Sequence, residues 1–329
     1  MRNLITDIPG LKVGHAHDAK IASGATAIVF DEPAVAAVDV RGGGPGTRDT
    51  ELLAPEMTVE AVQAICISGG SAFGLDSGSG VQAWLAEQGR GFMIGDACVP
   101  IVPSAILFDL LNGGDKKWGR FSPYRELGYQ AAANAGEDFA LGNTGAGYGA
   151  TVVNLKGGLG SASATTAQGF TVGAIVAVNA VGAVTVGDTG HFWAAPFEQD
   201  KEFGGRGLPA PFPANALDAR MKGGPPQSTT PAMIATDAAL TPAQCKRIAM
   251  MAQTGMARAI YPVHTPLDGD IVFAAATGAK PLNDPLVDVT ALGNAAANVL
   301  ARAIARGVYE AKALPFAGAL PDWRSKFGR

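Results

Sequence analysis

The chain has 329 residues, of which 47% are hydrophobic and only 16% charged, with a net charge of −4 and 44 glycines. The length suits one large domain or two ordinary ones around a sizeable core. The acidic balance, without any Lys/Arg run, excludes a basic nucleic-acid-binding face, and no stretch reaches the roughly 18 uninterrupted apolar residues of a membrane span.

Residues 1–7 lack the apolar core of a signal peptide, so a cytoplasmic chain is expected. Cys66, Cys98 and Cys245 are odd in number and far apart, which fits buried thiols in a reducing compartment rather than a disulfide framework. So few charges on so large a body predict that partner subunits cover part of the surface.

In chain order, residues 25–30 and 34–40 read as two strands, and 59–68 as a third. The third leads into a glycine-dense turn at 69–80 and a short helix at 81–87. Residues 103–111 are apolar, and 129–135 are Ala-rich with helical period. The Val/Ala/Gly run at 171–186 reads as two buried strands around Asn179 and Gly182. Residues 198–228 change character: Pro209, Pro211, Pro213, Pro225 and Pro226 sit among five glycines with no periodic apolar face. This loop ends at Ser228-Thr229, just before a strand at 232–235. Thr241 is a natural N-cap with Pro242 at the first helical position, opening a helix that runs to about Tyr261. A strand at 270–276 and a long Ala-rich helix at 288–311 follow.

The hydroxyl pair at the end of the long loop carries the chemistry. If the 228–229 bond is cut, Thr229 gains a free α-amine able to serve as base for its own hydroxyl, a known form of nucleophilic catalysis. The plain alternative is a Ser/Thr turn before a strand. Asn179 lies alone in an apolar run. Its carboxamide either donates to a developing oxyanion or caps local backbone at a strand end. Asp268 and Asp270 flank Gly269. They form a solvated turn, or they orient the Thr229 amine, polarise its hydroxyl and hold a substrate amine; no further metal ligands stand nearby. Gly145-Ala146-Gly147-Tyr148 resembles a dinucleotide loop only superficially, since no βαβ unit surrounds it. His15 and His17 lack a matching cluster and read as surface or turn residues. No metal or cofactor is expected.

Taken together, the segments resemble the DmpA-type L-aminopeptidase/D-esterase family of self-cleaving N-terminal-nucleophile hydrolases, which includes β-peptidyl aminopeptidases and nylon-oligomer hydrolase. The resemblance rests on Ile5-Thr6-Asp7-Ile8-Pro9-Gly10-Leu11-Lys12-Val13-Gly14-His15, Asp39-Val40-Arg41-Gly42-Gly43-Gly44-Pro45-Gly46-Thr47-Arg48, Ile67-Ser68-Gly69-Gly70-Ser71-Ala72-Phe73-Gly74-Leu75, Ala235-Thr236-Asp237 and His264-Thr265-Pro266-Leu267-Asp268-Gly269-Asp270. It spans nearly the whole chain.

The resemblance implies an α/β layered fold, an αββα sandwich. It implies one precursor domain cut between Ser228 and Thr229 into a large chain (1–228) and a small chain (229–329). It further implies a homotetramer of processed protomers. Thr229 falls on the family's nucleophile, Asn179 on its oxyanion-side Asn, and Asp268 and Asp270 on its acidic pair. The family's catalytic Tyr or Lys after the Gly-Ala-Gly motif meets Val153 or Asn154 here, so Lys156 is the nearest residue for that role. Gly147 and Tyr148 are the expected substrate contacts. The implied activity is aminopeptidase-type hydrolysis of short peptides, amides or esters through an acyl-enzyme. Endo-hydrolysis of linear amide oligomers is the alternative, and an uncut binding or scaffold protein is a third reading of another class.

Overall fold

The computed structural model describes residues 1–223 and 228–328. In chain order, its strands are β1 Leu11–Asp18, β2 Ser23–Val40, β3 Thr47–Arg48, β4 Ala61–Ser68, β5 Phe92–Ile94, β6 Ala97–Val99, β7 Ser104–Ile106, β8 Thr151–Val152, β9 Leu155–Lys156, β10 Gly158–Thr165, β11 Thr171–Val178, β12 Pro231–Ala238 and β13 Ile271–Lys280. Its α-helices are α1 Asp76–Glu87, α2 Tyr124–Ala133, α3 Pro242–Ala259, α4 Pro285–Tyr309 and α5 Trp323–Phe327.

Among the described residues the main sheet runs β10-β11-β12-β13-β2-β4-β7-β3, with β1 paired to β2. The neighbours are antiparallel except β12/β13 and β4/β7. The period of two along the strands folds this sheet into layers. On β12, Ala232 and Ile234 pack under α3 and α4, whereas Met233 and Ala235 face a second core. On β4, Ile65 and Ile67 enter that same second core, whereas Ala64 and Cys66 pack under Val81 and Leu85 of α1 and Leu127 and Ala131 of α2. The order of layers is therefore α3/α4, strands β10 to β13, strands β1, β2 and β4, then α1/α2. This is the αββα arrangement.

Residues 25–30 and 34–40 belong to one strand. β2 is continuous over 18 residues, and its pairing shifts register between Val29 and Ala34. Pro33, which cannot donate to a ladder, lies at this irregularity. The first part of β2 pairs with β1 and β4, the last part with β13, so this strand passes from one layer to the other.

The glycine-dense stretch is only partly a turn, because α1 already begins at Asp76. A Cβ at Gly80 would overlap the Arg125 carbonyl, and one at Gly128 would overlap that of Ser77. These glycines therefore let α1 and α2 approach closely. α2 likewise starts earlier than the periodicity indicates, at the fully buried Tyr124. The run at 171–186 holds one strand, not two. β11 stops at Val178, and residues 179–186 continue as buried, irregular chain. Gly182 packs against the Pro262 carbonyl, leaving no room for a side chain. The N-cap at Thr241 is present, with Gln244 completing a capping box. In the 198–228 loop, residues 224–227, which include Pro225 and Pro226, lie outside the described residues.

Candidate active site

The topology assembles the site before any side chain is considered. β12 and β13 are parallel, with Pro231 opposite Ile271, so the residues preceding both strands lie side by side. Ser228 accordingly pairs with Asp268 as an isolated parallel bridge. β11 runs antiparallel to β12, with Val176 opposite Ala232, which brings its C-terminal end to the same place. Asn179, Ser228, Thr229, Asp268 and Asp270 thus meet at one edge of the inner layers, and all five are buried.

The peptide between Ser228 and Thr229 is gripped on both sides. The Thr229 N–H donates to the Asn179 backbone carbonyl at 3.1 Å, and the Ser228 N–H to the Leu267 carbonyl at 3.1 Å. The Ser228 carbonyl oxygen accepts two donors, the Gly269 N–H at 3.0 Å and the Thr229 hydroxyl at 2.6 Å. A Cβ at Gly269 would lie 2.5 Å from Thr229 Oγ1, so only glycine lets this backbone approach the hydroxyl.

The two carboxylates are held by backbone and hydroxyl donors. Asp268 accepts from the Val181 N–H at 3.0 Å and the Thr265 hydroxyl at 2.9 Å. Asp270 accepts from the Thr230 N–H at 3.1 Å, and from the His264 N–H and Nδ1 at 3.0 Å each. Burial, and after it the Asp270 carboxylate, pushes Asp268 well above the usual carboxylate range. Neither carboxylate hydrogen-bonds the Thr229 hydroxyl while the peptide is intact.

Asn179 departs from the oxyanion expectation. Its Nδ2 donates to the Phe108 carbonyl at 3.0 Å. Its Oδ1 accepts from the Thr151 N–H at 3.0 Å, Asn112 Nδ2 at 3.2 Å and Lys222 Nζ at 3.1 Å. Three donors around one oxygen fix the amide orientation, and the nitrogen is turned away from the Ser228 carbonyl. The backbone donor on the Ser228 carbonyl oxygen is instead the Gly269 N–H.

Lys156 is also placed differently. Its Nζ donates to the carbonyls of Gly147 at 3.0 Å, Ala150 at 2.8 Å and Gly157 at 2.8 Å, which uses all three ammonium protons. Burial lowers its pKa to about 7, partly countered by Asp109. It ties the Gly-Ala-Gly segment to β9 and makes no hydrogen bond to Thr229. Val153 and Asn154 form the tip of the β8–β9 hairpin, with Asn154 at φ 55°. The Tyr148 ring stacks on His17 at 4.4 Å between centroids and takes no part in the Thr229 network. Gly147 contributes its carbonyl to Lys156. His15 is on a strand rather than in a turn. It is held by Thr26 Oγ1 at 3.0 Å, and burial lowers its pKa to about 3.

Gly269, Asn112, Thr151, His264 and above all Lys222 join the site without having been singled out in the sequence. The Lys222 ammonium is enclosed although the residue as a whole is only half-buried; burial lowers its pKa to about 7. A cavity of about 500 Å³ adjoins Lys156 and Lys222, walled by Asn112, Thr151, Leu314 and Phe316. Among the described residues no group of three or more His, Cys, Asp or Glu side chains could hold a metal ion. No helix among them is long and apolar enough to cross a membrane.

Residues 3–319 match the family model described as peptidase family S58. An uncharacterized aminopeptidase of Mycobacterium tuberculosis (strain ATCC 25618 / H37Rv) is 45% identical over an alignment of 346 positions, covering 99% of this chain and 98% of that protein. A 6-aminohexanoate-oligomer endohydrolase of Kocuria sp. (strain KY2) is 29% identical, covering 89% and 82%. The solved structure of the L-aminopeptidase D-Ala-esterase/amidase from Ochrobactrum anthropi, described as a new variant among the Ntn hydrolase fold, superposes with a TM-score of 0.72 at 20% identity, over 98% of this chain and 90% of that one. The layered architecture is shared with that fold.

Proposed function

The chain belongs to peptidase family S58 and is a hydrolase of peptide or amide bonds, and from that premise we propose that it is a self-cleaving aminopeptidase whose nucleophile is Thr229. The observation that carries the reading is the Thr229 hydroxyl against the Ser228 carbonyl oxygen at 2.6 Å, with the Gly269 N–H on the same oxygen.

Processing begins when Thr229 Oγ attacks the Ser228 carbonyl carbon. Negative charge gathers on the oxygen that the Gly269 N–H already binds, a contribution commonly worth about 10²–10³ in rate. The C–N bond breaks, the hydroxyl proton ends on the Thr229 nitrogen, and an ester joins Ser228 to Thr229 Oγ. Water hydrolyses the ester, leaving a Ser228 carboxylate and a free Thr229 amine and hydroxyl. That amine, with an ordinary pKa of about 7.7–8.0, then serves as base in each turnover. A substrate acyl group takes the place of Ser228, with its carbonyl oxygen on the Gly269 N–H. The nitrogen of the substrate's acyl residue, in place of the Ser228 nitrogen, donates to the Leu267 carbonyl; the aminopeptidase name of the mycobacterial relative supports exo-acting cleavage. An acyl-enzyme forms on Thr229, and water releases the acid.

The apolar wall of Leu111, Leu314, Phe316 and Leu320 favours a second reading, endo-hydrolysis of linear amide oligomers, the activity in the name of the Kocuria relative. Exposed Phe92, Met93 and Ile94 on the β5–β6 hairpin support a homo-oligomer, with a tetramer expected by light scattering. Three free thiols support a cytoplasmic setting.

Intact mass tests the central reading. Active protein should consist of fragments 1–228 and 229–329, and Thr229→Ala should stay whole at 33.4 kDa. Cutting of that variant at the same bond would overturn the assignment, and an uncut, inactive wild type would leave a scaffold. Faster hydrolysis of free-amine aminoacyl p-nitroanilides than of their N-acylated forms marks exo action; the reverse marks endo action.

A further inference from the structure

Lys222 precedes Ser228 by 6 residues in the chain and itself lies on no strand or helix. Its backbone N–H is fixed by the Val181 carbonyl at 2.8 Å. From there the side chain reaches two acceptors, Asn179 Oδ1 at 3.1 Å and Ser228 Oγ at 3.2 Å. Asn179 is the residue whose carbonyl holds the Thr229 N–H, the group that leaves. Ser228 carries the carbonyl that is attacked. One ammonium is therefore bonded to the residues that fix both halves of the peptide to be broken. Asp268 and Asp109 attract this ammonium, and Lys156 repels it.

We propose that Lys222 is a positioning residue for self-cleavage: it clamps Asn179 and Ser228 across the 228–229 peptide. The inference rests on the reading of Thr229 as the self-cleaving nucleophile. An incoming acyl group must take the place of Ser228, so the Lys222–Ser228 contact cannot survive in a turning-over enzyme. Lys222 then belongs to the tail of the large chain, on no strand or helix. Lys156 differs, because β9 and three carbonyls hold it whether or not the chain is cut.

The test follows processing. Freshly purified wild type, Lys222→Ala, Lys222→Met and Thr229→Ala precursors are followed by intact mass, with folding checked by thermal melting. Loss of a charge-assisted hydrogen bond should slow cutting about tenfold or more in both Lys222 variants. Added n-propylammonium should restore the rate of Lys222→Ala, whose side-chain space is empty, and not of Lys222→Met, whose space is filled. Cutting at the wild-type rate overturns the proposal, as does slowing that the amine does not relieve. If Thr229→Ala stays whole while Lys222→Ala cuts normally, the Lys222 inference fails and the nucleophile assignment stands. If Thr229→Ala is cut, the underlying reading itself is lost. Should Lys222→Ala fail to fold, the same comparison is made with Lys222→Met and Lys222→Gln, the latter keeping a donor and expected to cut at an intermediate rate.

Discussion

Replacing Gly269 by alanine places a methyl carbon 2.5 Å from the Thr229 hydroxyl oxygen and 2.6 Å from the Gly44 carbonyl oxygen. Ordinary contact begins at 3.4 Å, so the hydroxyl or the 268–270 turn must retreat by about 0.9 Å. A displacement of about 1 Å at a reacting centre costs on the order of 10²-fold. The retreat also takes the Gly269 N–H away from the Ser228 carbonyl, and a lost oxyanion donor costs about 10²–10³. Gly269→Ala should therefore cut at least about a hundredfold more slowly than wild type. Overpacking against Gly44 and Pro45 lowers stability by about 1–3 kcal/mol as well. The assay is a time course of intact mass on the purified precursor, run well below the melting temperature of the variant. A folded Gly269→Ala protein that processes as fast as wild type would refute the placement of the Gly269 N–H at the reacting carbonyl.

The buried lysine makes stability depend on pH in a defined sense. Lys156 has a native pKa of about 7 against about 10.4 unfolded. Between those values the unfolded chain holds a proton that the native chain lacks, so unfolding free energy rises with pH across that window and is flat outside it. Lys222 acts in the same direction. Lys156→Met should remove about 1.4 kcal/mol per pH unit from the slope of urea-unfolding free energy between pH 7 and 10, and an unchanged slope would contradict the burial argument. Burial pushes the thiols of Cys66 and Cys245 up to about 12, whereas Cys98 is half-buried on β6. A thiol reagent at pH 8 should add one label quickly, at Cys98, and two more only on unfolding; two fast additions would disagree with the packing.

The layering was legible through the family resemblance, which implies an αββα sandwich, whereas an apolar run such as Ile65-Cys66-Ile67 does not by itself say which core each face meets. The N-cap at Thr241 was legible because its signal is local, a threonine followed at once by Pro242, while the capping box with Gln244 emerged only from the structure. The candidate site was legible only in part. Thr229, Asn179, Asp268 and Asp270 lie together as the motifs imply, yet the roles of Asn179 and Lys156 depend on which way a terminal amide or ammonium points. That direction is set by Phe108, Thr151 and Gly157, which no local pattern links to them. Lys222 was hidden in a Pro/Gly-rich loop where a lone lysine reads as solvated. Gly269 read as turn chemistry, because its need for closeness comes from Thr229, far away along the chain. The helix at Asp76 was masked by glycines that serve packing between helices.

The ladder joining β11 to β12 has one consequence for handling the protein. Scission at 228–229 would leave β11 and β12 on different polypeptides while they remain adjacent in one sheet. A native gel would then show one species before and after the cut. Denaturation, by contrast, would change character, because a strand returning to its neighbour would have to find it in solution. Refolding of the matured molecule would become second order and dilution-sensitive, whereas the uncut precursor would recover at any concentration.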